Sequence, residues 1–402
     1  MQICQMLKNK KFTALIIGAT LLVAAIVLIL HSVNQHPLKD SGSKDSEEYS
    51  TAYLCSLFNK LDSKVNEGRG YSEYLNTDGF PTGALLAWSE SYLIQACANM
   101  YRVTNDLEYL NKLHNHVQSV LANRDDKIGQ KDYKNELVPS WGTNKYTKHG
   151  EWFHSAVVTG MIIYPMLEYA QLAKESGIEK YSIVADNVIQ QVQESIKYHD
   201  REWKVDHYVF PEDFYKIENC VLPLSQQATI GRSLLLLYEL TCKEEYCSKA
   251  SLIAKLLKGL LQNIGNGYKL GLSPGEITDE NKVGDISHST ITIHFAYLVY
   301  KNDIVFDKED ILRFTNTINN LAQANENHFP KYLDGTGNFD YEVTAGQYAF
   351  LAEFDREVYD LITDLFFNHL KIDQTAKYMR EDWWGTVMLG LSRIALFQSN
   401  LE

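Results

Sequence analysis

The hydrophobic and polar positions beyond residue 50 follow the period of an α-helix. Apolar residues recur at spacings of three and four, and no sustained alternation of period two occurs, so strands should be scarce. The first clear helical pair covers Thr82–Arg102, a turn at residues 103–106, and Leu107–Asn123. The helix that opens each pair is more uniformly apolar than its partner. This difference is expected where inner helices are buried on all sides and outer helices face water.

The same arrangement recurs along the chain without a repeated sequence. Opening helices are predicted to begin near residues 82, 154, 224, 287, 344 and 384, and further outer partners to cover Tyr181–His199, Tyr246–Asn263 and Lys308–Ala324. Six starts predict about six helical hairpins, the last of them cut short by the C-terminus. An open α-solenoid is the alternative, but it should show a tighter repeat and shorter loops. The pattern therefore predicts an all-α fold, an α/α toroid, over residues 51–402.

The N-terminal region has a different pattern. Residues 12–30 form a run of 19 residues without a charged side chain, and a helix of this length nearly spans a hydrocarbon core of about 30 Å. A cleaved signal peptide is the rival interpretation, but its apolar region would be shorter and would end in small residues. We therefore predict a transmembrane signal anchor at 12–30, preceded by a cytoplasmic basic segment (1–11) and followed by a flexible tether (31–50).

Charge supports this division and orients it. The formal net charge is −13, but residues 1–39 hold four lysines and no acid, which leaves 34 basic and 51 acidic groups, a charge of −17, in the remainder. Lysines before the span predict a single-pass protein with a cytoplasmic N-terminus and an extracytoplasmic main domain, in contact with the lipid bilayer through residues 12–30. So acidic a surface repels phosphate backbones, so we expect no nucleic-acid partner.

Several short segments carry a family resemblance. The segment from Tyr101 to Leu110 (YRVTNDLEYL) resembles the turn between paired helices in six-hairpin glycosidases and the related polysaccharide lyases and epimerases, where the phrase Y-x-x-T-x-D-x-x-Y-L recurs. The stretch from Asp285 to His288 before an apolar helix, and the late Asp382-Trp383-Trp384, are similar to that superfamily as well. The resemblance implies a toroid with a carbohydrate-directed site, without specifying the reaction.

In such a toroid, the loops that enter the inner helices converge on one mouth of the ring, and the positive ends of those helix dipoles face it. We expect functional side chains at or just before the inner-helix starts, where five of the six tryptophans lie. The candidate substrate-binding residues are Trp88, Trp141, Trp152, His154, Gln226, Trp383 and Trp384, and the candidate catalytic residues are Asp78, Asp285, His288, Tyr341, Glu381 and Asp382. Aromatic faces together with carboxylates, amides and histidines suit a glycan better than an apolar ligand.

Asp285 with His288 is the sharpest catalytic candidate. His288 can act as a general acid or base while Asp285 orients it. The alternative is structural, with Asp285 as a helix N-cap and His288 as a satisfied buried residue. Glu381 and Asp382 are candidates for a general acid or for helix-capping acids, and Tyr341 is a candidate lyase-type base.

Other chemistry has little support in the sequence. No nucleophile elbow, glycine-rich phosphate loop, H-x-x-x-H zinc motif or C-x-x-C pair occurs, so no metal and no cofactor is predicted. The run Arg124-Asp125-Asp126 follows an outer helix, so we expect it at the rim opposite to the inner-helix starts. A helix-terminal ion pair or turn is the favoured interpretation there.

The sequence thus favours a membrane-anchored, extracytoplasmic, carbohydrate-active enzyme. A glycoside hydrolase with paired carboxylates is slightly preferred over a uronate lyase or epimerase, because few arginines lie near the expected mouth. A non-catalytic toroid that binds a glycan or a protein is the alternative, and a scaffold for envelope assembly is a third possibility. The sugar, the bond and the oligomeric state stay open.

Overall fold

The computed structural model describes residues 49–72, 82–145, 147–210, 221–271, 284–374 and 383–402. The predicted membrane span at residues 12–30 lies outside these residues, as do the candidates Asp78, Glu381 and Asp382.

The described chain is built almost entirely of helices. They are α1 (Thr51–Asp62), α2 (Ser91–Thr104), α3 (Leu107–Ala122), α4 (Ala156–Glu175), α5 (Glu179–Tyr198), α6 (Leu224–Thr241), α7 (Glu244–Gly259), α8 (Ile286–Lys301), α9 (Lys308–Gln323), α10 (Arg356–Asp364) and α11 (Trp384–Ser399). A short helix (Thr82–Leu85) and a π-helical turn (Leu86–Glu90) lead into α2, and a 3-10 helix (Glu342–Glu353) precedes α10. One two-stranded antiparallel sheet pairs β1 (Gln262–Ile264) with β2 (Gly267–Lys269).

Six helices form a closed inner ring. In order around it, α2 packs against α4, α4 against α6, α6 against α8, α8 against the 3-10 helix, that helix against α11, and α11 against α2. Five outer helices, α3, α5, α7, α9 and α10, each follow their inner partner along the chain. The predicted α/α toroid is therefore confirmed. Five inner helices begin within about two residues of their predicted starts, and at the first predicted start, residue 82, the short helix that leads into α2 begins.

The sixth outer helix comes from the other end of the chain. The α1 helix packs against α11, and the backbone N–H of Thr51 donates a hydrogen bond of 3.0 Å to the Glu402 carboxylate. The sequence pattern predicted a last hairpin cut short by the C-terminus, but in the structure this hairpin is complete. Its outer helix precedes the rest of the ring in sequence, so no local pattern links it to α11.

The turn within the first hairpin shows why its sequence phrase has that composition. Asn105 ends α2 in the left-handed conformation (φ 52°) and its N–H bonds to the carbonyl of Tyr101. The side chain of Asp106 then accepts a hydrogen bond of 2.9 Å from the N–H of Glu108 and caps α3. An asparagine tolerates positive φ, and an aspartate is a good N-cap. The connection between α2 and α3 therefore needs only these two residues.

One inner helix differs from the expected form. Residues Glu342–Glu353 form a 3-10 helix of 12 residues rather than an α-helix. It approaches α11 so closely that a Cβ placed on Gly346 would lie 3.0 Å from the Cα of Gly390. The narrower 3-10 helix and the two facing glycines together allow this contact.

Among the described helices, α4 alone has the length and composition of a membrane span, and its apolar stretch is 94% buried within the ring.

Candidate functional site

A cavity of about 500 Å³ lies at the amino-terminal ends of the inner helices. We call it the mouth cavity, and its wall includes Trp88, Ser89, Tyr92, Lys145, Ser287, Tyr341, Thr344, Gln347, Trp383 and Thr386. Its position agrees with the expectation that functional side chains gather at the inner-helix starts, where the amide ends of several helices face the same space.

Asp285 and His288 meet next to two wall residues of this cavity, Ser287 in sequence and Trp88 in space. Nδ1 of His288 lies 2.7 Å from Oδ2 of Asp285, while Oδ1 of Asp285 accepts hydrogen bonds from the N–H groups of Ser287 and His288 at 3.0 Å. The carboxylate therefore caps α8 and orients the imidazole at once. Because the carboxylate only accepts, the proton of a neutral His288 lies on Nδ1, and Nε2 keeps its lone pair.

The acid–imidazole contact also fixes the charge of Asp285. Partial burial raises the pKa of its carboxyl, but the hydrogen bond and opposite charge of His288, with the Ser287 hydroxyl, outweigh burial and lower the pKa to about 2. Asp285 therefore stays ionised at neutral pH. The imidazole itself is 43% exposed and faces the edge of the Trp88 ring at a centroid distance of 6.2 Å.

Aromatic side chains form the two sides of the cavity. Trp88 lies on the π-helical turn, and its Nε1–H is buried with no partner among the described residues. Tyr341 and Trp383 pack together on the other side, with ring centroids 5.3 Å apart. Burial raises the pKa of Tyr92, deeper in the wall, to about 12, although nearby Arg232 and a hydrogen bond with Gln347 oppose the shift. Tyr92 is thus a neutral phenol at physiological pH.

Lys145 places an ammonium group on the cavity wall. The loop that carries it is held in place by hydrogen bonds to the buried carboxylate of Asp125. Oδ2 of Asp125, which is fully buried, accepts hydrogen bonds from the Trp152 indole at 2.6 Å, from His154 Nε2 at 2.8 Å and from the Gly142 N–H at 3.1 Å. The Gly142 carbonyl in turn accepts from the N–H of Gly83, at the entrance to the first inner helix. We call these residues the Asp125 cluster.

The position of Asp125 corrects the expectation from sequence. It lies beside the inner-helix starts and not at the opposite rim, because each outer helix runs back to the end at which the next inner helix begins. The ion pair expected there is present, since Arg124 binds both carboxylate oxygens of Asp126, at 2.7 and 2.9 Å.

Several candidates lie away from the cavity wall. Trp141 is fully buried and donates its indole N–H to the carbonyl of Val120 at 2.9 Å. Trp152 and His154 belong to the Asp125 cluster. Trp384 is 8% exposed and packs near the ammonium of Lys64. Gln226 lies near the start of α6 and does not border the cavity. Trp88, Tyr341 and Trp383 do border it, whereas His288 lies behind the wall and faces the ring of Trp88.

Lys145, Tyr92, Ser287 and Gln347 lie on the wall but are not among the candidates predicted from the sequence. A usable signal existed for two of them, because Tyr92 follows Trp88 by four residues and Gln347 follows Thr344 by three, so each shares a helix face with a residue nearer the start. Lys145 lies in a long loop, whose path no periodicity predicts. No cluster of three or more histidine, cysteine or acidic side chains suited to a metal ion occurs in the described part of the chain.

Three solved structures with a similar fold are those of carbohydrate enzymes. The chain is similar to the alpha-1,6-mannanase GH76A of Salegentibacter sp. HEL1_6, solved as an inactive variant with alpha-1,6-mannotriose, at 12% identity over 88% of this chain and 100% of that one, with a TM-score of 0.52. It is similar to the cellobiose 2-epimerase from Spirochaeta thermophila DSM 6192 at 11% identity over 79% and 87% of the two chains, with a TM-score of 0.51. A polysaccharide lyase matches at 13% identity over 86% and 98%, with a TM-score of 0.53.

These likenesses show that the chain has the fold of these enzymes, which is the toroid that the resemblance to six-hairpin glycosidases implied. No protein-family model and no curated protein sequence matches the chain.

Proposed function

We propose that this protein is a carbohydrate-active enzyme that binds a saccharide in the mouth cavity and transfers a proton through His288. The observation that carries the proposal is the contact of 2.7 Å between His288 Nδ1 and Asp285, which leaves Nε2 as a proton acceptor beside Trp88. Two tryptophans on the wall provide faces for the C–H surfaces of a sugar, and the mannanase, epimerase and lyase of like fold support a saccharide ligand.

The geometry suits a uronate lyase or epimerase best. In an elimination, His288 Nε2 takes the proton from the sugar carbon next to the carboxylate, the electron pair forms a carbon–carbon double bond, and the neighbouring glycosidic C–O bond breaks. Tyr341 is placed on the wall to protonate the departing oxygen, and Lys145 to balance the charge of the uronate carboxylate. In an epimerisation, the carbanion takes a proton back on its other face and no bond to oxygen breaks.

A glycoside hydrolase is the second candidate. It needs two carboxylates, one on each side of the scissile bond. No carboxylate borders the described part of the wall, and Asp285 is engaged with His288. However, Glu381 and Asp382 directly precede Trp383, which is on the wall, and Asp78 precedes the first inner helix. These three acids are the residues that a hydrolytic mechanism would use.

We further propose that the domain works outside the cytoplasm, held by the predicted membrane span at residues 12–30 with the N-terminus in the cytoplasm. The support is the uncharged run of 19 residues preceded by lysines. Labelling of single cysteines introduced at positions 5 and 45, in a chain whose six native cysteines are replaced by serine, tests this topology in intact cells with a membrane-impermeant reagent. Only position 45 should react, and the reverse pattern would refute it.

The reaction is tested by incubating the full-length chain, purified in detergent, with a panel of neutral and uronate polysaccharides. New reducing ends together with absorbance of unsaturated uronates indicate elimination, and reducing ends alone indicate hydrolysis. Solvent deuterium in the sugar without new ends indicates epimerisation. Binding without any of these supports the non-catalytic glycan-binding alternative, and the absence of both binding and turnover over the whole panel refutes the proposal.

A further inference from the structure

A second cavity, of about 560 Å³, opens at the other end of the ring. Its wall comes from the later halves of the same inner helices, including Asn99, Arg102, Glu168, His294, Phe350 and Arg393, and we call it the basal cavity. The mouth cavity is bordered by the first turns of these helices, so the two cavities lie at opposite ends. Its volume lies within the range of about 300–1,000 Å³ that is usual for small-molecule sites.

The acids of the basal cavity already have basic partners. Glu168 accepts a hydrogen bond of 3.1 Å from Arg102. Glu353 accepts from Lys301 at 3.0 Å and from the Tyr297 hydroxyl at 2.8 Å. These two carboxylates are therefore balanced by their own cations.

Two further guanidinium groups have no carboxylate partner among the described residues. Arg393, on the wall, is 7% exposed, donates Nη1 to the carbonyl of Gln347, and lies over the ring of Phe350 at 5.1 Å. Arg232, behind the wall, is 2% exposed and stacks on Tyr164 at 4.5 Å. Glu168 interacts electrostatically with both groups but is already bound by Arg102, so this region of the ring carries more guanidinium than carboxylate charge, an excess that an anion would stabilise.

His294 adds a donor to the same surroundings. Nη1 of Arg232 lies 3.3 Å from Nδ1 of His294, and because a guanidinium only donates, Nδ1 is the acceptor and the ring proton lies on Nε2. Burial, followed by the charges of Arg393, Arg232 and Arg102, lowers the pKa of His294 well below its usual value. The ring is therefore neutral and offers an N–H group, as the two arginines do.

From these contacts we propose that the basal cavity binds a small organic anion, with its carboxylate or phosphate held by Arg393 and by the N–H groups of Arg102 that do not bind Glu168 or Asn99, and its body packed against Phe350. A guanidinium matches the two oxygens of either group in a fork geometry. Nothing in this proposal depends on the reaction in the mouth cavity, because the residues involved are different.

The test is isothermal titration of the full-length chain in detergent, at an ionic strength held constant with chloride. The probes are inorganic phosphate, glucose 6-phosphate, glucuronate and, as a neutral control, glucose. We expect saturable binding of at least one anion and none of glucose. Binding of both phosphates but not of glucuronate identifies a phosphate ligand, and the reverse identifies a carboxylate.

Three variants place the ligand. Arg393→Gln should weaken anion binding at least tenfold, and Arg102→Gln provides the same test on a less buried arginine if Arg393→Gln does not fold. Arg356→Gln, which removes an exposed arginine from α10, should leave the affinity unchanged. The absence of saturable binding refutes the proposal, as does an affinity that neither arginine variant in the cavity alters.

Glucuronate needs one more control, because it resembles a possible substrate. If Trp88→Phe weakens its binding and Arg393→Gln and Arg102→Gln do not, the sugar occupies the mouth cavity and the proposal is wrong. If the arginine variants weaken it and Trp88→Phe does not, the anion lies in the basal cavity as proposed.

Discussion

The carboxylate of Asp285 holds the start of α8 with one oxygen and the imidazole of His288 with the other. Because both partners lie within three residues, the orientation of the ring is fixed by the same contact that begins the helix. A functional side chain is thereby attached to a rigid element, which is the arrangement that positions a proton acceptor accurately.

The first prediction concerns the imidazole. His288→Gln should lower turnover by about 10²–10⁴-fold, since general acid–base catalysis contributes on that order, while saccharide affinity changes little. Turnover and affinity are measured separately, by product release and by titration. The matched control is His207→Gln, a histidine of the loop after α5 that pairs with Asp206, and it should retain full activity. Full activity in His288→Gln would exclude His288 as the proton acceptor.

The second prediction follows from the low pKa of Asp285. Its folded-state pKa of about 2 lies below the usual 3.8, so the fold favours the ionised form. The resulting stabilisation is fully present above about pH 4 and is lost as the pH falls towards 2. The free energy of unfolding of the wild type should therefore exceed that of Asp285→Asn at pH 6, and the difference should shrink between pH 4 and 2.

Urea unfolding followed by circular dichroism measures this difference. Asp186→Asn, on the exposed face of α5, should show no comparable pH-dependent gap. A gap for Asp285→Asn that stays constant from pH 6 to pH 2 would contradict the assigned pKa.

The third prediction uses the unpaired indole of Trp88. Its buried Nε1–H has no partner in the described part of the protein and lies at the mouth cavity, so we expect a sugar hydroxyl to accept from it. Trp88→Phe keeps an aromatic face but removes the donor, and it should weaken saccharide binding by about 1 kcal/mol, roughly fivefold. Trp203→Phe, which alters a tryptophan packed on Tyr208, should bind like the wild type. Equal affinities in all three proteins would show that the Trp88 N–H does not contact the ligand.

The fourth prediction concerns the Asp125 cluster. Asp125→Ala leaves the Trp152 indole, His154 and the Gly142 amide without their acceptor in the interior, and should destabilise the fold by about 2–4 kcal/mol. It should also raise KM more than it lowers kcat, because the loop that carries Lys145 is no longer fastened. Asp360→Ala, at an exposed ion pair on α10, should cost less than about 0.5 kcal/mol. A stable Asp125→Ala with unchanged KM would remove the proposed link between the cluster and the cavity.

The parts of the structure that the sequence predicted well are those set by local periodicity. The starts of the helices follow from apolar spacing and from caps such as Asp106 on α3 and Asp285 on α8, whose partners lie two or three residues away. The parts it missed depend on long-range packing. Trp141 was expected near the mouth because of its position in a loop, yet its indole bonds to α3 in the core. Lys145 reaches the cavity because the loop that carries it is hydrogen-bonded, through the Gly142 amide, to Asp125, which lies 20 residues before Lys145 in the sequence.

The contact between α1 and α11 has a consequence for synthesis on the ribosome. The helix α1 is synthesised long before α11. It therefore has no surface to pack against until residues 384–399 have been made. Until then the inner ring lacks α11, and the apolar surfaces of α2 and of the 3-10 helix that pack against α11 stay exposed. The ring is therefore completed only after α11 has been made, and chains truncated before α11 should be captured by chaperones or degraded rather than accumulate as a smaller folded protein.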